Sequence, residues 1–167
     1  LSATTANFTQ AEADISVSLF CPEEEQFIIK RLGEMKMGLY ASKTYEKIHG
    51  LPSRLRDLRK HRVITYGDHL SILPENQWLL NHSNESQRIL SSDSTVTRFK
   101  ATTSGAGMSL QPVAMAQTNA ELIPLFAAVK LPMHTVWLVY HENIQNISRI
   151  HAVAEFISNY LGNRLKE

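Results

Sequence analysis

The sequence has few of the features that mark secreted, membrane-spanning or nucleic-acid-binding chains. It has one cysteine in 167 residues, which excludes an internal disulfide and favours a reducing compartment, so we expect a cytoplasmic location. No apolar run is long enough to cross a membrane and no export signal is present, so no membrane partner is expected. The net charge of +1 gives no strong field for nucleic acid or anionic lipid.

Catalytic and metal-binding motifs are also missing. The seven histidines show no His-Glu-x-x-His spacing, and there is no Gly-x-Ser-x-Gly elbow or phosphate-binding Walker loop. Gly105 and Gly107 form a Gly-x-Gly that lacks the third glycine and the downstream acid of a dinucleotide site, so a turn is the better interpretation. We therefore predict no catalytic residue, no metal site and no cofactor.

What is present is an alternation of strand and helix patterns, which predicts an α/β fold. The predicted strands are residues 13–19, 35–41, 62–66, 71–73, 77–80, 95–99, 108–110 and 136–140. The strands at 71–73 and 77–80 are expected to form a hairpin around Pro74. Ser42 is predicted to cap a helix that Gly50 ends, and Ser53 to cap a second short helix.

The strongest helix pattern follows Asn146, a candidate cap. Its predicted buried face consists of Ile150, Val153, Ile157 and Leu161. The short helix after Ser53 carries the basic residues Arg54, Arg56, Arg59 and Lys60. These fit either a phosphate-binding patch or a solvated helix face, and the second is favoured because Asp57 interrupts them and no aromatic is interleaved.

Hydroxyl side chains recur near predicted strand ends, where ligands of open α/β sheets bind. Ser16 and Ser18, Thr65 with Tyr66, and residues 102–104 are such groups, and Thr4 with Thr5 forms another. Each group alone is better explained by turn chemistry or helix capping. Together they predict a site for a small polar or anionic metabolite held by hydrogen bonds.

Four segments, in this order, resemble the effector-binding domain of LysR-type transcription regulators. They are QAEADISVSL, GLYASKTYEKIHGLPSRLRDLRKHRVI, SGAGMSLQPVAMA and VWLVYHENIQNISRIHAVAEFI. The likeness covers most of residues 10–161, and its last segment is the most specific.

The resemblance implies a two-lobed α/β fold like that of type 2 periplasmic binding proteins. Lobe I would comprise residues 1–35 and 136–167, and lobe II residues 36–135. A metabolite effector would lie between the lobes, and the domain would pair as a dimer, with tetramers in the full-length regulator. Promoter DNA would be bound only by a separate N-terminal winged helix-turn-helix, and the chain would not be an enzyme.

The resemblance also matches particular residues to ligand-facing loops. Thr102 and Thr103 match a loop of the second lobe, often at a helix N-terminus that favours an anion. The predicted ligand-binding residues are Thr4, Thr5, Ser18, Thr65, Tyr66, Thr102, Thr103 and Ser104.

The sequence departs from the family pattern in two places. The first strand-helix unit of the domain is expected to be absent. Thr103 runs almost directly into Gly105, which leaves no room for the helix of about three turns expected between them, so we expect residues to be missing there.

Two other functions remain open. A stand-alone solute-binding protein of the same fold class would need an export signal. An enzyme would need a convergent nucleophile or acid–base pair, which the sequence does not show.

Overall fold

The computed structural model describes residues 14–165. They form two compact units: one from the described residues of Leu1–Met35 and His134–Glu167, the other from Lys36–Met133. The strands in this part of the chain are β1 (Ile15–Ser18), β2 (Phe27–Met35), β3 (Met37–Ser42), β4 (Val63–Thr65), β5 (Arg88–Ser91), β6 (Met108–Pro112), β7 (Leu122–Leu125) and β8 (His134–His141). The α-helices are α1 (Lys43–His49), α2 (Pro74–His82), α3 (Thr95–Thr103), α4 (Val113–Ala116) and α5 (Ser148–Arg164).

The first unit is a three-stranded antiparallel sheet in the order β1-β8-β2. Its core is formed by Leu32, Val136, Leu138 and Ala154. Leu32 lies at a bulge of β2, where the register shifts between Arg31 and Gly33. Helix α5 contributes Ala154 to this core, so burial of one helix face against the sheet holds the unit together.

The second unit is a five-stranded mixed sheet in the order β5-β4-β6-β3-β7. Strand β4 is parallel to β5 and β6, whereas β3 is antiparallel to β6 and β7. Tyr40 of β3 and Leu122 of β7 form a buried cluster with Phe99 of α3 and Ala116 of α4. Sheets with helical crossovers of this kind confirm the α/β prediction.

The predicted start and end of α1 are confirmed. The Ser42 hydroxyl accepts a hydrogen bond from the Tyr45 backbone N–H at 3.2 Å, which satisfies one of the free donors of the first turn. Gly50 follows the last residue with φ 69°, a conformation that glycine adopts without strain, and its N–H donates to the Glu46 carbonyl at 2.8 Å.

The predicted hairpin at 71–80 is wrong, because residues 74–82 form α2. Pro74 stands at the first helical position, where its missing N–H costs nothing and its fixed φ suits the helix. The apolar residues there are therefore spaced by helical turns, and Leu79 is fully buried.

The predicted strand at 95–99 is also wrong, because these residues begin α3. Thr95, Val96 and Thr97 are β-branched and favour strands by propensity. The Ser94 hydroxyl caps the helix by accepting from the Thr97 N–H at 3.2 Å, and tertiary packing overrides propensity.

Helix α3 ends at Thr103, so a helix lies directly before Gly105 rather than between these two residues. The lack of room for a helix is therefore no longer a reason to expect missing residues at this point.

The position of the last helix is predicted correctly, but the predictions of its buried face and of its cap are partly wrong. Ile150 is buried, and Ile157 and Leu161 pack against the core. Val153 is 48% exposed, and Ala154 takes the buried position expected for it. The residue before the helix is Ile147 rather than Asn146.

The short helix predicted after Ser53 is a 3-10 helix, Leu55–Lys60, preceded by Arg54 rather than by a serine cap. The Arg54 N–H donates to the Asp57 carboxylate at 2.9 Å, which gives the helix start its side-chain partner.

Candidate ligand-binding site

The sequence-predicted site residues of the first unit are Thr4, Thr5 and Ser18. Thr4 and Thr5 lie outside the described residues. Ser18 ends β1, and its hydroxyl donates to the Phe20 carbonyl at 2.8 Å and accepts from the Phe20 N–H at 3.0 Å. Both bonds stay within one turn, so the hydroxyl shapes the end of the strand.

Thr65 and Tyr66 lie at the carboxyl end of β4 in the second unit, and both are buried, at 4% and 5% exposure. The Thr65 hydroxyl donates to the Leu90 carbonyl at 3.4 Å. The Tyr66 N–H donates to the Asn76 side-chain oxygen at 3.1 Å, and its carbonyl accepts from the Ser91 hydroxyl at 2.6 Å. These bonds tie β4 to α2 and β5.

Thr102 is a fully buried residue of α3. Its hydroxyl donates to the Arg98 carbonyl at 2.8 Å and is hydrogen-bonded to the Ser109 hydroxyl, which also accepts from the Gln111 side-chain amide at 2.7 Å. The chain of hydrogen bonds from Thr102 to Gln111 therefore joins α3 to β6 in the interior of the second unit.

Thr102 and Thr103 are the last two residues of α3 and Ser104 follows them, so the expectation of a loop at a helix N-terminus is wrong. The hydroxyls of Thr103 and Ser104 donate to the carbonyls of Lys100 and Ala101, each at 2.9 Å. The C-terminal end of a helix carries partial negative charge, so an anion bound there must be held by side chains rather than by the helix dipole.

Thr103 and Ser104 share an open surface depression of about 710 Å³. The other residues that line it are Val96, Thr97, Lys100 and Ala101. This surface offers one cation and three hydroxyls beside two small apolar groups, which suits a small polar or anionic molecule. Of the predicted residues, the structure brings Thr103 and Ser104 together on this surface.

A buried charged cluster that sequence reasoning missed lies beneath this helix. The Arg98 side chain is 2% exposed, and its guanidinium carbon lies 3.8 Å from the centroid of the Tyr66 ring. Its two terminal nitrogens donate to the Ser92 carbonyl at 2.6 Å and to the Thr95 hydroxyl at 3.2 Å. Arg98 therefore links two predicted site residues, because Thr102 bonds to its carbonyl and Tyr66 lies under its guanidinium.

The electrostatics of the cluster follow from its burial. Burial raises the pKa of Tyr66 above its ordinary range, the nearby Glu75 carboxylate raises it further, and Arg98 opposes both. Glu75 is 1% exposed. The Tyr66 hydroxyl therefore stays protonated at neutral pH. The sequence pattern predicts a strand at 95–99, and nothing in that pattern indicates that the Arg98 side chain is buried.

The described residues 14–165 contain no group of three or more histidine, cysteine, aspartate or glutamate side chains placed to hold a metal ion. Within the same range, no helix is both long and apolar enough to span a membrane.

Comparisons with known proteins identify the family. The sequence model of the "LysR substrate binding domain" family matches residues 4–162. No curated protein matches the chain. Solved structures do match the chain, and three of them are described below.

The regulatory domain of CrgA, a LysR-type transcriptional regulator from Neisseria meningitidis, is 19% identical with a TM-score of 0.75, over 92% of this chain and 78% of that one. The effector domain of the transcriptional regulator AmpR of Pseudomonas aeruginosa is 14% identical with a TM-score of 0.72, over 97% and 79%. Full-length AphB, the Vibrio cholerae virulence activator, is 16% identical with a TM-score of 0.64, over 87% and 51%.

The chain spans about half the length of full-length AphB and 55% of full-length CrgA. At these identities the structures show a shared fold. The family match, in contrast, covers nearly the whole chain, and its likeness to LysR-type regulators agrees with the four segments found in the sequence. The chain belongs to the LysR substrate-binding domain family.

Proposed function

We propose that this chain is the ligand-sensing domain of a LysR-type transcription regulator and is not an enzyme. The observation that carries the proposal is the family match over residues 4–162. A small polar or anionic metabolite would bind more tightly to one of two arrangements of the regulator and so favour that arrangement. The difference between its two affinities would then set the level of transcription. The proposed location is the cytoplasm.

The proposed partners extend beyond the metabolite. The domain would pair with a second copy, and the full-length regulator would form tetramers. Promoter DNA would be recognised by a separate N-terminal winged helix-turn-helix. The lobes proposed from the sequence are residues 1–35 with 136–167, and residues 36–135.

The residues proposed to form the metabolite site are Thr4, Thr5, Ser18, Thr65, Tyr66, Thr102, Thr103 and Ser104. Thr103 and Ser104 have the strongest support, because they line a surface depression that also contains the Lys100 ammonium group. Thr65, Tyr66 and Thr102 are buried, so we propose that they act by fixing the elements that carry the exposed groups.

A thermal-shift screen of polar and anionic metabolites, with an assay for turnover of each hit, tests this function. A hit present at about 100 times its Kd stabilises the folded state by about 2.7 kcal/mol, which raises Tm visibly. Binding without turnover supports the proposal, and turnover of the hit would instead indicate an enzyme. A helix-turn-helix encoded upstream in the gene separates a regulator from a stand-alone solute-binding protein.

Thr103→Ala then tests the site itself. A lost hydrogen bond to a charged ligand is worth about 1.5–3 kcal/mol, so affinity for the hit should fall about tenfold or more. Thr118→Ala is the matched control, because its hydroxyl also bonds a carbonyl three residues earlier, at 2.8 Å, on an exposed surface. Equal affinity of both variants for the hit would refute the assignment of Thr103.

A further inference from the structure

The segment from Arg54 to Arg62 concentrates positive charge in a chain whose net charge is only +1. Its nine residues contain five cations and one acid, Asp57. The five cations, which we call the basic edge, are Arg54, Arg56, Arg59, Lys60 and Arg62, and all are exposed. Exposure of five like charges on so short a segment costs self-repulsion unless a counter-charge binds.

The basic edge has no ion-pair partner within residues 14–165. The ion pairs of this part of the chain are Arg31 with Glu34 and Lys43 with Glu121. The one acid in the segment, Asp57, uses its carboxylate to accept from the Arg54 backbone N–H at 2.9 Å. Asp57 forms no ion pair with the basic edge, so the five cations are left for an external anion.

The backbone that carries the basic edge is firmly held. Leu58 is fully buried, and its carbonyl accepts from the His61 N–H at 3.0 Å. The Arg62 N–H donates to the Tyr45 hydroxyl at 3.1 Å, and the Arg62 carbonyl accepts from the Met108 N–H at 2.9 Å. The cations therefore extend from a fixed scaffold, which reduces the entropy lost when they bind a partner.

The geometry of the 3-10 helix places two of the cations on the same edge. With three residues per turn and a rise of about 2 Å per residue, Arg56 and Arg59 lie on the same edge about 6 Å apart. Arg62 lies beyond the end of the helix, after the extended residue His61. Two arginines on one helix edge, with further cations beside them, suit an anion with repeating charges, and the planar guanidinium binds phosphate oxygens in pairs.

We propose that the basic edge binds the phosphate backbone of duplex DNA without reading its bases. The choice of DNA over an acidic protein rests on the proposed function, since a promoter-bound regulator holds its sensing domain near DNA. The surface offers arginine forks for phosphate but no interleaved aromatic for stacking on bases, which favours a duplex over single strands. It supplies affinity and orientation beside the separate DNA-reading domain.

The contact is weak and depends on salt. Each neutralised phosphate contributes a slope of about −0.9 to the logarithm of affinity against the logarithm of salt concentration, so five contacts give about −4 to −5. Sequence-independent binding of this kind has a Kd of about 10⁻⁴ to 10⁻⁶ M at physiological salt.

Fluorescence anisotropy of a labelled duplex of arbitrary sequence, titrated with this chain at several salt concentrations, tests the proposal. Arg56→Ala/Arg59→Ala should reduce the magnitude of the salt slope by about 2. Lys30→Ala/Arg149→Ala is the matched control, because it removes two exposed, unpaired cations of the first unit and the same net charge. Circular dichroism of each variant checks that the fold is retained.

Two further arms make the outcome decisive. Arg56→Lys/Arg59→Lys keeps the charge, so it should retain the slope and lose affinity through loss of the guanidinium fork. Poly-glutamate at equal charge concentration should compete poorly. The proposal is overturned if the alanine variant and its control have equal salt slopes. It is also overturned if poly-glutamate displaces the labelled duplex as effectively as unlabelled duplex does. Neither result depends on metabolite binding, so the proposed sensing function stands or fails separately.

Discussion

At the scale of single residues, the Tyr45 hydroxyl joins α1 to the segment that precedes β4. It accepts from the Arg62 N–H and lies 3.1 Å from His61 Nδ1. Burial raises the pKa of Tyr45, so its hydroxyl keeps its proton at neutral pH. The contact joins the two side chains whichever tautomer His61 adopts.

The partial burial of His61 predicts that stability falls in mild acid. Burial lowers the pKa of His61 below its ordinary value of 6.5; the Asp57 charge opposes this, and the His49 charge adds to it. The unfolded chain therefore binds the proton more readily, and stability present above about pH 6.5 is lost as the pH falls through that value. Urea unfolding at about pH 7.5 and about pH 5.5 measures the loss.

His61→Asn should lose less stability than the wild type over the same pH interval, because the variant has no proton to take up at this position. His151→Asn, which removes an exposed histidine of α5, provides the control for the remaining histidines. If the His61 and His151 variants show the same pH dependence, burial does not keep His61 neutral in the folded chain.

At the same scale, the sequence identified hydroxyl-rich positions but not what those hydroxyls bind. Thr102 was expected to face a ligand, and it is buried against Ser109 instead. Arg98 was given no role, yet it is among the largest fully buried side chains. Whether a hydroxyl faces a ligand or a neighbouring element depends on tertiary packing, which residue type and spacing do not encode.

At the scale of elements, α3 depends on its cap more than most helices do. Its first turn consists of Thr95, Val96 and Thr97, whose β-branched side chains lose rotamer freedom in a helix. The Ser94 hydroxyl satisfies a free N–H of that turn and so offsets part of the low propensity.

Ser94→Ala should therefore lower the free energy of unfolding by about 1 kcal/mol. Ser94→Asp keeps a side-chain acceptor at the cap and adds a charge that the helix N-terminus favours, so it should be neutral or stabilising. Urea titration with circular dichroism measures both. Equal loss in the two variants would indicate that capping does not stabilise α3.

Some secondary-structure elements can be predicted from the sequence and others cannot. The Ser42 cap and the Gly50 stop of α1 were predicted correctly, because both are local features with a fixed chemical cause. For residues 95–99, the β-branched side chains predict a strand, whereas the burial of this segment in the folded chain favours a helix. Burial at Phe99 and Thr102 decided the outcome, and it depends on β3 and β6, which are distant in sequence.

At the scale of the whole molecule, the second unit is continuous in sequence and the first is not. All five strands of the mixed sheet lie within Lys36–Met133, together with the cluster of Tyr40, Phe99, Ala116 and Leu122. A segment that contains every strand partner and its own core meets the usual conditions for independent folding.

We therefore expect a fragment of residues 36–133 to unfold cooperatively in urea, with a circular dichroism spectrum of mixed helix and strand. The slope of its free energy against urea should be smaller than that of the intact chain, because less surface is exposed on unfolding. A gradual transition without a baseline would show that the second unit depends on the first.

The order β1-β8-β2 also has a consequence for synthesis on the ribosome. Within the described chain, β1 and β2 both pair with β8 and not with each other, yet about 100 residues separate Met35 from His134. At about 5–20 residues per second, the early strands remain unpaired for about 5–20 seconds while those residues are made. Their open edges are then the part of the nascent chain most exposed to misassociation, and cellular yield should depend on how fast translation reaches β8.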